Sequence, residues 1–397
     1  MNSLKKLEMM EATHLTREGR LKEAMELLLG SFGSTKFEAT EPRSAPEYPT
    51  AKLRLLPPRT ASDDTRAERS PDGRTEQRTR QIPRPFGTLL DQMTRVGSAA
   101  GLEGLRGLVA RTPSPVPDGA RFEERTYANA AGSRSYKLFV PSGYIGQAVP
   151  LLVMLHGCKQ SPDDFATGTR MNQLAEELTF LVAYPAQSTS ANASKCWNWF
   201  KALDQERGQG EPSLIAGIAR QIMSDFKVVQ ARVAIAGLSA GGAAAANAGA
   251  AYPDLFDAVG VHSGLACGAA TDTPSAFAAM RAGARSDLTR RSTVRTIVFH
   301  GDRDMTVNSV NGDQVIAQSN STANLRVSVC QGRSPGGVRY SRTVHTQASG
   351  VEVLEQWVVH GLGHAWSGGS PAGSYTDARG PDASREMVRF FFQKAKG

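Results

Sequence analysis

No apolar run in this 397-residue chain approaches the roughly 20 residues that a bilayer-crossing helix needs, so the sequence reads as soluble and without a transmembrane segment. Cysteines are few: Cys158, Cys196, Cys267 and Cys330. None belongs to a C-x-x-C pair, which argues against a zinc ribbon or a thioredoxin-like site. The even count leaves disulfides and buried thiols both open. Aromatic residues make up only 7 % of the chain and nowhere interleave with arginines in the manner of a nucleic-acid surface. A Gly-rich phosphate loop, a dinucleotide fingerprint and an H-E-x-x-H metal motif are all missing, so neither a cofactor nor a metal is implied. Met1-Asn2-Ser3-Leu4-Lys5-Lys6 leads into Glu8 and Glu11 rather than into an apolar core with a small-residue cleavage site. By sequence, then, the expected compartment is the cytoplasm.

What is present supports a sizeable globular domain with an extension. Hydrophobic residues at 40 % suffice for a large core. The net charge of +8 is spread among residues of both signs and reads as a solvated surface. Residues 1–33 hold Leu21, Ala24, Met25 and Leu28 at helical spacing opposite Arg17, Lys22, Glu23 and Glu26, which predicts an amphipathic helix able to dock on a surface. From 34 to 120 the chain is rich in Pro and Arg and poor in large apolar residues. That composition predicts a disordered linker with a short helical segment near 87–111. The folded domain is expected over 121–397. Arg134–Val140, Pro150–Leu155, Phe180–Tyr184, Val233–Ala236, Val294–Phe299 and Val351–Val359 read as strands, and Ser213–Phe226 reads as a helix. Strands separated by helical stretches predict an α/β fold, a mostly parallel central sheet flanked by helices.

The strongest chemical signal is Gly237-Leu238-Ser239-Ala240-Gly241, set between a short apolar strand and a helix of small residues. A serine at such a turn is held in a strained conformation at the C-terminal edge of the sheet, and the helix N-terminus favours a developing oxyanion there. The turn resembles the one that presents the nucleophile in an α/β-hydrolase. A serine hydroxyl needs a histidine base oriented by a carboxylate, in the chain order Ser, acid, His. Asp302 and Asp304 both follow a predicted strand; Asp304 is favoured because Val307 anchors the loop after it and Asp302 lies closer to the strand end. His364, in a glycine-flanked loop after the last predicted strand, is the expected base. His360 abuts that strand and reads as structural, while His14 and His345 read as surface residues. The amides of Ala240 and Cys158 are the expected oxyanion donors. Trp199, within Cys196-Trp197-Asn198-Trp199-Phe200, and Trp366 are candidates for a pocket wall or for core packing. His262 lines the site or packs behind it.

These motifs together resemble the polyhydroxybutyrate depolymerase family of esterases over roughly 122–395. The residues carrying the resemblance are Leu155-His156-Gly157-Cys158, Cys196-Trp197-Asn198-Trp199-Phe200, Gly237–Gly242, His262-Ser263-Gly264, His300–Asp304 and His360–Gly369. It implies a Ser239–His364–Asp304 triad and hydrolysis of short-chain polyhydroxyalkanoate or its oligomers, with no cofactor. Feruloyl and acetylxylan esterases share much of the pattern, so a small carboxylic ester is the alternative substrate. A granule-binding protein that keeps the shell without the activity is a remoter alternative, prompted by the N-terminal extension. The resembled family is often exported, in contrast to the N-terminus read above, and in an oxidising space the resemblance allows a bridge between Cys158 and Cys196.

Overall fold

The computed structural model of the protein describes residues 115–284, 292–319 and 324–392. The expected helix at 1–33, most of the linker at 34–120 with its helical segment, and any surface association through them lie outside the described residues. Everything described falls in the unit Ile82–Gly397.

In chain order the strands are β1 (Arg121–Asn129), β2 (Gly132–Val140), β3 (Val149–Leu155), β4 (Leu181–Pro185), β5 (Val228–Leu238), β6 (Ala258–His262), β7 (Arg295–Gly301), β8 (Arg326–Arg333), β9 (Arg339–Thr346) and β10 (Glu352–Val359), with β11 (Trp366–Ser367) and β12 (Thr376–Asp377) forming a small separate pair. The helices are α1 (Pro162–Thr169), α2 (Met171–Leu178), α3 (Gly210–Asp225), α4 (Ala240–Ala251), α5 (Thr273–Ala282), α6 (Val310–Ser319) and α7 (Ala383–Phe392). The sheet runs β1-β2-β4-β3-β5-β6-β7-β10-β9-β8. Its centre, from β4 to β10, is parallel throughout. Antiparallel strands close both sides, β2 and β1 beyond β4, β9 and β8 beyond β10.

The continuous apolar runs arise because the central strands are covered on both faces. In β3, Leu151, Val153 and Leu155 enter one core while Leu152 and Met154 enter the other; Val233 and Ile235 of β5 alternate with Ala234, Ala236 and Leu238 in the same way. One core takes Ile215, Ile218 and Ile222 of α3 and the alanines of α4. The opposite core takes Phe165 of α1, Leu174 of α2 and Met387, Phe390 and Phe391 of α7. Each such fully buried side chain contributes roughly 1.5–3 kcal/mol. Among the described residues no helix is long and apolar enough to cross a membrane.

Three strands of the main sheet that were not expected from the sequence are polar. β1 carries Arg121, Glu123, Glu124 and Arg125, β8 is exposed along nearly its whole length, and β9 alternates charged and hydroxyl residues. Each lies in the antiparallel borders of the sheet, where ladder hydrogen bonds rather than burial hold the strand. His345, expected on a polar surface, is a residue of β9.

Candidate active site

Ser239 stands between the end of β5 and the start of α4 with φ 58° and ψ −121°, a left-handed backbone that a side chain adopts only under constraint. Two glycines supply the constraint. A Cβ on Gly241 would lie 2.1 Å from the Leu155 carbonyl oxygen, and one on Gly237 would lie 2.3 Å from the Gly241 carbonyl carbon. The G-x-S-x-G spacing therefore lets α4 begin against the ends of β3 and β5. The turn is also pinned by the Ser239 amide, which donates to the His262 carbonyl at 2.9 Å, and by the Ala243 amide, which donates to the Ser239 carbonyl at 3.0 Å.

The acidic arm follows β7. The side chain of Asp304 is inaccessible to solvent, yet the carboxylate is well supplied with donors: the amides of Thr306 and Val307, both at 2.9 Å, reach one oxygen, and His364 Nδ1 reaches the other at 2.7 Å. His300 Nε2 lies 3.5 Å from that second oxygen and donates to the Val307 carbonyl at 2.8 Å. Burial alone would raise the pKa of Asp304, but the hydrogen bonds from His300 and His364 outweigh it and hold the carboxyl well below its usual range. With Nδ1 donating to Asp304, the Nε2 of His364 is left as the acceptor, the state a general base requires.

Strand pairing brings this arm to the serine. Leu238 of β5 is in register with His262 of β6, His262 with Phe299 of β7, and Val359 of β10 with Gly301 of β7. Ser239, Asp304 and His364 thus all follow the C-terminal ends of strands along one edge of the sheet. Among the described residues the Ser239 side chain has no hydrogen-bond partner, so its link to His364 is one of placement rather than contact.

Asp302, the competing carboxylate, meets a different histidine: His360 Nδ1 at 2.9 Å and the Gly361 amide at 2.7 Å. His360, expected to be structural, is about a third exposed and bonded to Ser341 Oγ through Nε2.

The expected oxyanion donors, the amides of Cys158 and Ala240, have no protein acceptor among the described residues. The loop bearing Cys158 is heavily braced. Cys158 and Cys196 form a disulfide with Cα atoms 4.2 Å apart. His156 Nδ1 donates to the Gly157 carbonyl at 2.7 Å, its Nε2 accepts from the Gln187 amide at 3.1 Å, and its own carbonyl accepts from Trp197 Nε1 at 3.1 Å. Burial holds the His156 pKa down to about 4, so the ring stays neutral and both bonds persist at neutral pH. Gln160 Oε1 accepts from the Gly157 amide at 2.8 Å. Sequence reasoning did not single out the supporting roles of His156, Gln160 and His300. The signal for His156 and His300 was membership of the quoted motifs, and for Gln160 only nearness to Cys158.

Trp199, His262 and Trp366 are all buried. His262 is stacked between Phe299 and Trp366, with ring centroids 5.8 and 4.9 Å away, and its Nε2 accepts from the Ser367 amide at 2.9 Å. Trp366 donates to Ser384 Oγ at 3.0 Å. The Trp199 carbonyl accepts from Gln205 and Asn247. His262 and Trp366 stack with Phe299 in the core on one side of the sheet, while Trp199 packs in the core on the other. Among the described residues no group of histidines, cysteines and carboxylates is arranged to hold a metal ion.

Comparison with known proteins follows the same lines. The family model described as "Esterase PHB depolymerase" matches residues 134–339, a span that includes Ser239 and Asp304 and stops before His364. "Poly(3-hydroxyalkanoate) depolymerase C" of Paucimonas lemoignei is 31% identical over 239 residues, 57% of this chain and 56% of that protein. "Feruloyl esterase B" of Neurospora crassa is 31% identical over 129 residues, 31% of this chain and 43% of that protein. The chain thus spans about half the length of the curated relatives it matches. Among solved structures, an acetyl xylan esterase from Aspergillus awamori superposes with a TM-score of 0.51 at 18% identity, covering 68% of this chain and 98% of that one. The fold is that of the α/β-hydrolases.

Proposed function

This chain belongs to the esterase PHB depolymerase family, and from that premise we propose that it is a serine carboxylic-ester hydrolase acting through Ser239, His364 and Asp304. The observation that carries the reading is the buried Asp304 held 2.7 Å from His364 Nδ1, on the same sheet edge as a serine in a strained turn. In this reading Ser239 Oγ attacks the ester carbonyl while His364 Nε2 takes its proton. Asp304 keeps the ring oriented and stabilises the imidazolium. The tetrahedral oxyanion lies between the amides of Cys158 and Ala240, which are free to donate to it. Collapse expels the alcohol, which leaves with the proton from His364. Water then repeats the sequence on the acyl-enzyme and releases the acid.

The substrate class we propose is a short-chain polyhydroxyalkanoate or its oligomers, from membership of the family and the Paucimonas relative. The Neurospora relative favours a second reading, a feruloyl- or acetylxylan-type esterase. Hydrolysis of p-nitrophenyl esters from acetate to octanoate, beside amorphous polyhydroxybutyrate and a feruloyl ester, separates them. Turnover lost in Ser239→Ala, with a preference for short acyl chains and clearing of polymer, is the expected result. Serine-dependent turnover without action on polymer or oligomers moves the assignment to the second reading. Activity retained by Ser239→Ala overturns the triad.

A further inference from the structure

Beside the proposed triad the same two strands carry a second acid–histidine pair. Asp304 and His364 form the inner pair, with side chains 0% and 13% exposed; Asp302 and His360 form the outer pair, 37% and 36% exposed. Both span the gap between the ends of β7 and β10. Only Arg303 separates the two acids, so their Cα atoms are no more than about 7 Å apart. The outer pair floors an open surface cavity of about 360 Å³ lined by Asp302, Arg303, Arg339, His360 and Gly361.

Two features give this cavity a sign. Arg303 and Arg339 are exposed, and among the described residues neither guanidinium makes a hydrogen bond or a close ion pair, whereas Arg342, Arg379, Arg385 and Arg389 all do. Asp302, the carboxylate in the lining, is already engaged: one oxygen accepts from the Gly361 amide and the other from His360. His360 is held from its far side by Ser341 Oγ at 2.9 Å. Ser341 is a mid-strand residue of β9 paired with Val358 and Gln331, without the strained turn and helix amides that attend Ser239. The Ser341–His360–Asp302 chain therefore fixes the floor; Asp302 stays ionised beside Arg303, and two arginines against one carboxylate leave the lining net positive.

We propose that Arg303 and Arg339 form a carboxylate subsite on the rim of the active site, which receives the free acid end of a hydroxyalkanoate oligomer lying across Ser239. This rests on the reading of the chain as an esterase of such oligomers. Every oligomer of that kind ends in one carboxylate, and each cleavage makes another. A planar guanidinium is suited to hold it through paired N–H donors. Because the site is wet, its contribution is modest and falls with salt. It therefore tunes preference toward soluble acids over capped or polymeric chains.

The test is calorimetric binding of the 3-hydroxybutyrate trimer, as the free acid and as its methyl ester, to Ser239→Ala protein with and without Arg303→Ala and Arg339→Ala. Wild-type arginines are expected to favour the acid, and the double substitution to weaken acid binding about tenfold while changing methyl-ester binding less than about twofold. The difference should shrink in molar salt. Inorganic phosphate as competitor shows whether any anion suffices: preference for the trimer acid over phosphate supports the subsite, and equal binding overturns its assignment to oligomer ends. Equal weakening of both trimers, no weakening, or failure of both to bind also overturns it. Separate turnover assays on the Ser239 protein decide the esterase reading, so loss of that reading and loss of the subsite are distinguishable.

Discussion

Asp302 and Asp304 sit two positions apart in one loop, and the context that favours Asp304, Val307 after it and a greater distance from the strand end, does not say which histidine each will meet. The spacing showed that a loop carboxylate was available after β7. Which partner it took depended on how far the β10 loop reaches back across the sheet, a long-range matter settled by strand register. The consequence is a sharp difference in expected effect. Asp304→Asn keeps the size of the side chain but removes the charge that orients His364 Nδ1 and stabilises the imidazolium, so kcat for a p-nitrophenyl ester should fall about 10³–10⁴-fold. Asp302→Asn disturbs only the outer pair and the Gly361 contact, and should cost less than about tenfold. Comparable losses in the two variants would show that the acids share the role. Ser239 was readable because its motif lies between a strand and a helix that the local pattern also predicts. Trp366 and His262 were readable only as motif members. Whether a ring lines a cleft or fills a layer beneath it depends on neighbours such as Phe299 and Ser384, which no spacing reveals.

At the scale of elements, the strand–turn–helix from β5 to α4 is the piece on which the proposed chemistry depends, and its tolerance is set by backbone approach. Gly241→Ala places a methyl 2.1 Å from the Leu155 carbonyl oxygen, and the atom it meets is main chain rather than a side chain able to swing away. The expected outcome is destabilisation of about 3 kcal/mol or more in urea unfolding, above the usual range for an overfilled site. A loss below about 1 kcal/mol would mean that the helix can shift without harm. The loop at 156–158 is the second such element. Its disulfide closes a 38-residue separation, so Cys158→Ser with Cys196→Ser should lower stability by about 2–4 kcal/mol. If the bridge also holds the Cys158 amide in place, kcat should fall while KM for a small ester changes little. Central strands such as β3 were legible because burial on both faces writes itself as an apolar run. The border strands β1, β8 and β9 were not, since their residues satisfy a hydrogen-bond ladder and leave little pattern of burial.

For the molecule as a whole, acid sensitivity begins with two buried histidines, against which the carboxyls of Glu211 and Asp204, raised chiefly by desolvation, act in the opposite sense. His156 is held down to about 4, chiefly by burial, and burial likewise drives His262 well below its usual 6.5. Both are neutral in the folded chain and bind protons readily once unfolded. The unfolded state therefore holds more protons than the native state at every pH between the two values, and stability must fall as pH drops through that window. Above about pH 6.5 the contribution is level. Below it, the two rings together should remove up to about 2.7 kcal/mol per pH unit. Asp304, Asp302 and Asp377 act in the same direction but later, since carboxyls held below their usual 3.8 lose stability only as pH falls beneath that value. The two rings together remove at most about 4 kcal/mol by pH 5 and about 7 kcal/mol by pH 4, so acid unfolding near pH 4 to 5 is expected only if the total stability lies at the lower end of the usual range of about 5–15 kcal/mol. Urea unfolding at half-unit steps from pH 7.5 to 4.5 measures the slope directly. His262→Gln should lower stability at pH 7.5 through the lost stack on Trp366, yet reduce the slope between pH 6.5 and 4.5 by about half. A slope unchanged by that substitution would place the acid sensitivity elsewhere and leave His262 as a packing residue alone.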